Sequence, residues 1–166
     1  MTAVAPPEAA DILYREGLYL DAQRWDDWLA LYCEDAEFWM PAWKDEHALT
    51  DSPGAEVSLI YYSARAGLED RVWRVRSGLS VASLTLPRTA HAISGVTLEG
   101  LTPEGALELR SAWTCHVYDV KRATQHVFFG RYEHRLRSES GKWRIAAKKI
   151  VLMNDRIPTM IDFYCV

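Results

Sequence analysis

The sequence predicts an α+β domain in which helices from the N-terminal half pack on a long, curved antiparallel sheet from the C-terminal half. Three observations carry that reading. Apolar residues recur at helical spacing up to Ser77 and at strand spacing from Arg88 onward. The strand-like stretches run well beyond the usual length of about five or six residues, which favours strong twist and curvature. A chain of 166 residues that is 49% hydrophobic and 25% charged fits one domain, 1–166, able to bury its own core. A curved sheet wrapped over helices makes a cone with a pocket inside.

The elements follow in order. After Pro6 and Pro7, a helix over about 8–23 sets Ala9, Ile12, Leu13 and Leu20 on one stripe, with Glu16 in its middle. A short second helix follows, with Asp21 as its N-cap and Trp25, Trp28, Leu29 and Tyr32 at helical spacing. Residues 36–40, AEFWM, read as a strand whose pairing is limited by Pro41. Residues 43–54 are a surface loop rich in Asp, Pro and Gly, and 57–62 a short strand. A third helix over 65–77 buries Leu68, Val72 and Val75 and stops at Gly78. Its other face carries Glu69, Asp70, Arg71, Arg74 and Arg76, which reads either as a solvated surface or as an ion-pair patch between subunits.

Four strands come next, at 89–98, 106–120, 124–138 and 142–154. In the second, Leu107, Leu109, Trp113, Cys115 and Val117 share one face. In the third, Phe128, Gly130, Tyr132, His134 and Leu136 oppose Val127, Phe129, Arg131, Glu133 and Arg135. Gly95 and Gly130 are the expected bulge or bend sites. The apolar C-terminal segment RIPTMIDFYCV, 156–166, docks either on its own sheet or on a neighbouring subunit.

Net charge −4 and pI 5.7 argue against nucleic acid as the partner. Neither a leader nor an apolar run of about 18 residues is present, so no membrane is expected and a cytoplasmic location is. Cys33, Cys115 and Cys165 show no paired spacing and read as packing residues or free thiols. Seven Trp, eight Tyr and fourteen Arg point to contact surfaces between subunits, although a small core absorbs aromatics too.

No nucleophile elbow, dinucleotide fingerprint or phosphate-binding loop occurs. A Rieske cluster needs Cys-x-His and Cys-x-x-His, but His116 directly follows Cys115 and the other cysteines have no nearby His. A mononuclear iron site needs two His and a carboxylate on one face. His126 and His134 share a strand face but lie about 26 Å apart at strand rise, and Glu133 faces the other way. What survives is acid–base chemistry inside the cone, with Glu16 and His91, His116 or His134 as candidates. A carboxyl among apolar groups has its pKa raised and can act as acid or base near neutrality. The structural alternative is that Glu16 pairs with an Arg or a Tyr hydroxyl while the histidines satisfy backbone carbonyls.

Several segments taken together carry a resemblance. They are ILYREGLYLDAQRWDDWLALYCEDAEFWMPAW at 12–43, EVSLIYY at 56–62, GLEDRVWRVRS at 67–77, PRTAHAISGV at 87–96 and GKWRIAAKKIVLMNDRI at 141–157. In this order, over nearly the whole chain, they resemble the small (beta) subunits of aromatic-ring-hydroxylating dioxygenases, in the benzoate, toluate and anthranilate branch. The resemblance implies a cone-shaped nuclear-transport-factor-2-like (cystatin-like) fold. It implies that the Rieske [2Fe-2S] cluster and the mononuclear Fe(II) belong to a large (alpha) subunit, with no catalytic residue, cofactor or metal on this chain. It further implies an α3β3 hexamer with sibling small subunits, fed electrons from NADH through a reductase and adding both atoms of dioxygen to a benzoate-like ring. On that reading this chain stabilises its catalytic partner, and Tyr61, Tyr62, Arg71, Arg74, Arg88 and His91 are the candidates for subunit contact because they combine charge and aromatics. Two rival readings stand beside it: a stand-alone isomerase or dehydratase using a pocket Glu/His pair, and a ligand-carrying module of the same fold.

Overall fold

The computed structural model describes residues 3–79 and 85–166. Helix α1 (Pro7–Asp21) begins with a proline in its first turn, where the missing N–H has no intrahelical partner to lose. It buries Ala9, Ile12, Leu13 and Leu20, and Glu16 with them. Helix α2 (Trp25–Ala30) buries Trp25 and Trp28, and α3 (Arg65–Ser77) buries Leu68, Val72 and Val75 before ending at Gly78, as the periodicity requires.

Two local expectations change. Asp21 is the last residue of α1 rather than the cap of α2, and its carboxylate turns instead to the sheet, accepting from the His91 N–H at 2.8 Å and the Thr89 hydroxyl at 2.9 Å. Tyr32 opens a strand rather than closing a helix. It is buried in either case, so its apolar character could not tell the two apart.

The sheet orders its strands β1-β4-β5-β6-β7-β2-β3. These are β1 (Ala3–Val4), β2 (Tyr32–Pro41), β3 (Ser58–Tyr62), β4 (Arg88–Leu101), β5 (Leu107–Asp119), β6 (Thr124–Glu139) and β7 (Lys142–Leu152). Every neighbouring pair is antiparallel except β2 and β7, which run parallel. The exception follows from the chain order: β2 comes from the helical half and lies beside the last strand, far from it in sequence, where no hairpin dictates direction. Pro41 pairs with Ser58 only after a register break at Met40.

Leu107, Leu109, Trp113, Cys115 and Val117 of β5 and Phe128, Tyr132, His134 and Leu136 of β6 face the helices, as alternation demands. Trp113 stacks on Tyr132 with ring centroids 5.0 Å apart, and Trp28 stacks on Phe163 at 4.9 Å. Phe163 to Val166 are buried, so the end of the chain docks on its own domain. The aromatic surplus is mostly core: Trp25, Trp28, Trp39 and Trp113 are buried, and Trp73 at 60% exposure is the open one.

Gly95 has φ 61° and sits in a bulge where the β4–β5 register skips from Ser94 to Thr97. Gly130 serves a different purpose. A Cβ there would lie 1.8 Å from the Val151 carbonyl oxygen, so only glycine lets β6 and β7 approach at this point. Gly130→Ala is expected to destabilise the fold by about 1–3 kcal/mol in urea unfolding, the typical penalty for overpacking. Gly54→Ala, with open space around it, should change the midpoint little.

Candidate functional site

The interior centre of the cone is built on Glu16. Its Oε1 accepts from the Tyr32 hydroxyl and from Lys148 Nζ at 2.8 Å, and its Oε2 lies 3.0 Å from His134 Nε2. Helix α1 supplies the carboxylate, β2 the phenol, β6 the imidazole and β7 the ammonium. Lys148 also lies 4.2 Å above the Tyr132 ring and donates to the Val166 carbonyl oxygen at 3.4 Å. The side chains of Glu16, His134 and Lys148 are at most 1% exposed.

Burial by itself would raise the Glu16 carboxyl, but Lys148 and His134 outweigh it and hold the group well below the usual glutamate range. Burial pushes Lys148 and His134 down from their ordinary values, and Glu16 opposes the shift in each. This corrects the raised carboxyl of the acid–base expectation and agrees with the structural alternative in one respect, since a Tyr hydroxyl, that of Tyr32, pairs with Glu16. A carboxylate held ionised near neutrality and saturated by three donors is a poor acid or base there, so the dehydratase-like reading loses its central group. Lys148 was the missing partner. Its signal was present in the alternation, since Lys148, Ile150 and Leu152 share the inward face of β7.

The histidines separate. His91 places Nδ1 2.6 Å from Asp21 Oδ1, with its ring buried and Nε2 without a hydrogen-bond partner among the described residues. His134 meets Glu16, while His116 lies exposed on the outer face. The two inward histidines thus meet carboxylates, not the backbone carbonyls expected of a structural role. A cavity of about 870 Å³ opens nearby between Pro87, Val117, His126, Met160 and Tyr164. Neither Glu16 nor His91 is among the described residues lining it.

Among the described residues, Cys33, Asp35 and Glu139 bring potential metal-ligand atoms within 4.8 Å of one another. Arg137 already fills the role of cation there, at 2.6 Å from both carboxylates. Burial, with Glu139 adding to it, pushes the Cys33 thiol up to about 11, away from the thiolate a metal would need.

The candidate contact residues fall into two groups. Arg71 holds both oxygens of Asp162 with Nε at 3.0 Å, tying α3 to the C-terminal segment, and His91 ties β4 to α1. Tyr62 packs against Phe38 and beside Gly67. Tyr61 is partly open, with its hydroxyl 3.3 Å from Glu37. Arg74 is exposed, and so is Arg88, whose guanidinium stands 5.9 Å over the Tyr118 ring. Asp21 and Asp162, the acceptors that brace this surface, have no local pattern that marks them as such.

Glu16→Gln strands the Lys148 ammonium in the core and is expected to cost about 3–5 kcal/mol of unfolding free energy. Adding Lys148→Met should restore most of it, as read from urea midpoints. The sign with pH follows from the lowered carboxyl. Its contribution is complete above the ordinary glutamate value of 4.5 and is lost as pH falls below it toward the folded value. The unmodified chain should therefore weaken progressively below about pH 4.5, with a shallower slope in the Glu16→Gln, Lys148→Met pair.

The family model described as "Ring hydroxylating beta subunit" matches residues 15–159. The beta subunit of toluate 1,2-dioxygenase from Pseudomonas putida is 43% identical over 154 residues, 93% of each chain. The crystal structure of the beta subunit of benzoate 1,2-dioxygenase from Burkholderia mallei is 34% identical, covers 100% of both chains and superposes with a TM-score of 0.79. A scytalone-dehydratase-type protein of Novosphingobium aromaticivorans shares the fold at a TM-score of 0.68 with 14% identity over 94% of this chain and 91% of its own. That likeness extends to the cone-shaped architecture alone. Matched from Arg15 to Thr159, and carrying at its centre an ionic lock instead of a free acid or base, the chain belongs to the family of ring-hydroxylating dioxygenase beta subunits.

Proposed function

We propose that this chain is the non-catalytic small subunit of a Rieske non-haem iron dioxygenase that cis-dihydroxylates a benzoate-like aromatic carboxylate. The observation that carries the reading is the state of Glu16. Glu16, the carboxyl that acid–base chemistry inside the cone would need, is neutralised by Lys148 and closed by Tyr32 and His134. The names of the toluate and benzoate relatives support the substrate class.

In this reading the Rieske cluster and the mononuclear iron reside on the large subunit, which receives electrons from an NADH-dependent reductase. The assembly is an α3β3 hexamer in the cytoplasm, and residues 1–166 form one domain of it. The small subunit contributes a stiff surface rather than a chemical step. Arg74, Arg88 and Tyr61 reach toward the partner, whereas Arg71, Tyr62 and His91 set where they stand. Arg71 fixes α3 through Asp162, and His91 fixes the start of β4 through Asp21. Bracing of this kind reduces the ordering penalty of association.

Co-expression with the large subunit tests the assignment. Arg74→Ala and Arg88→Ala are each expected to weaken recovery of the complex by at least about fivefold, the loss of about 1 kcal/mol that sets the costlier contacts of an interface apart. Arg71→Ala should weaken it through loss of positioning, and Lys at 71 should rescue in part. The purified small subunit should show no turnover of its own. Undiminished assembly and activity in all three alanine variants would sink the contact assignment, and turnover by the isolated chain would sink the non-catalytic role.

A further inference from the structure

The cavity of about 870 Å³ takes no part in the ionic centre. It is bounded by Pro87 ahead of β4, Val117 near the end of β5, His126 near the start of β6, and the C-terminal segment from Pro158 to Cys165. Its volume falls within the range of about 300–1,000 Å³ in which proteins enclose a small organic molecule. The floor is apolar and held in place. Val117, Tyr164 and Cys165 are buried, and the segment that carries the last two is pinned through Asp162 by Arg71 and at the Val166 carbonyl oxygen by Lys148. Burial pushes the Cys165 thiol up to about 12, so it lines the cavity as a neutral, soft group.

Against this floor stands a polar wall. His126 Nε2 lies 3.4 Å from the Thr159 hydroxyl, and the imidazole meets the Phe128 ring edge-on with centroids 4.9 Å apart. Burial lowers the imidazole from its ordinary value, so near neutrality it is uncharged and offers one donor and one acceptor. Tyr164 and His126 give the cavity ring-shaped walls, which suit a planar aromatic better than a flexible chain that would lose more freedom on entering.

The rim supplies the charge. Lys121 and Arg122 stand in the turn between β5 and β6, and Asp119 is the acid among the described lining residues. Its carboxylate is already saturated: it accepts from the Lys121 and Arg122 N–H groups at 3.0 Å each and from Arg122 Nη1 at 2.8 Å. Arg122 is thereby neutralised, while the Lys121 ammonium makes no ion pair among the described residues. An apolar floor, a neutral imidazole and an uncommitted ammonium at the mouth match a ligand with a planar apolar body and one anionic end.

We propose that this cavity binds an aromatic carboxylate of two or three rings, its rings over Val117, Tyr164 and Cys165 and its carboxylate at Lys121. The proposal goes beyond the reading above by giving the small subunit a ligand of its own, and it does not rest on that reading. Calorimetric titration of the purified full chain with 2-naphthoate should show one saturable site. Lys121→Glu should weaken it at least about tenfold, the order expected when a hydrogen bond to a charged group is lost. Thr159→Trp, which sets an indole in the cavity wall, should abolish it with unchanged far-UV circular dichroism. Trp73→Ala and Phe129→Ala, at exposed apolar positions elsewhere, should leave it intact. Absence of saturable binding, undiminished affinity in both cavity variants, or a tighter site for decanoate overturns the proposal. So does a site present in the isolated chain and lost in its complex with the large subunit, because a segment of that partner then fills the cavity. Saturable binding followed by conversion of the naphthoate by the isolated chain would instead overturn the non-catalytic role and leave this site standing.

Discussion

The pairing of Glu16 with Lys148 is the constraint around which the rest of the domain is arranged. Two opposite charges taken fully out of water are tolerated only when geometry and further hydrogen bonds compensate their lost hydration. Tyr32 and His134 supply those bonds, and in doing so they recruit β2 and β6. Lys148 reaches on to Val166, so the end of the chain is held by the same centre. One turn of α1, three strands and the C-terminal segment are therefore bound to a single ionic group. A slip of β7 by one residue would turn Lys148 outward and leave Glu16 without its countercharge, so the pair also specifies register.

That centre decides what the inside of the cone is for. An interior acid whose environment raises its pKa is a reagent, whereas one held ionised by a buried lysine is a fastener. The same logic extends outward. Asp21 with His91 and Asp162 with Arg71 join helices to sheet and to the C-terminal segment through carboxylates that accept several hydrogen bonds each. On the proposed reading, what remains for assembly is surface, with exposed arginines on α3 and at the start of β4. A subunit whose contribution is shape gains from such stiffness, because a surface already in place loses less entropy on association.

Much of the fold was legible in short windows of sequence. Helix α3 follows its apolar spacing from Arg65 to Ser77 and stops at Gly78, and the inward residues of β5 and β6 follow strict alternation. Glu16 stood out as a carboxylate on an apolar stripe. The resemblance over 12–157 carried the family. The fate of Asp21 was not legible, since an Asp between two helices satisfies the local pattern of a cap equally well. Gly130 was marked as a bulge or bend site; no register break falls at it, and what requires glycine there is the Val151 carbonyl across the sheet.

The sequence by itself determined the period of most elements, the buried faces of β5 and β6 and the kinship of the chain, because backbone geometry and local pattern express these within a few residues. Only the tertiary structure decided the direction of the Glu16 shift and the parallel entry of β2 beside β7. The reason is separation along the chain. The partners that fix the charge of Glu16 lie 118 and 132 residues away, and no local pattern encodes which sign of charge will arrive across a folded core.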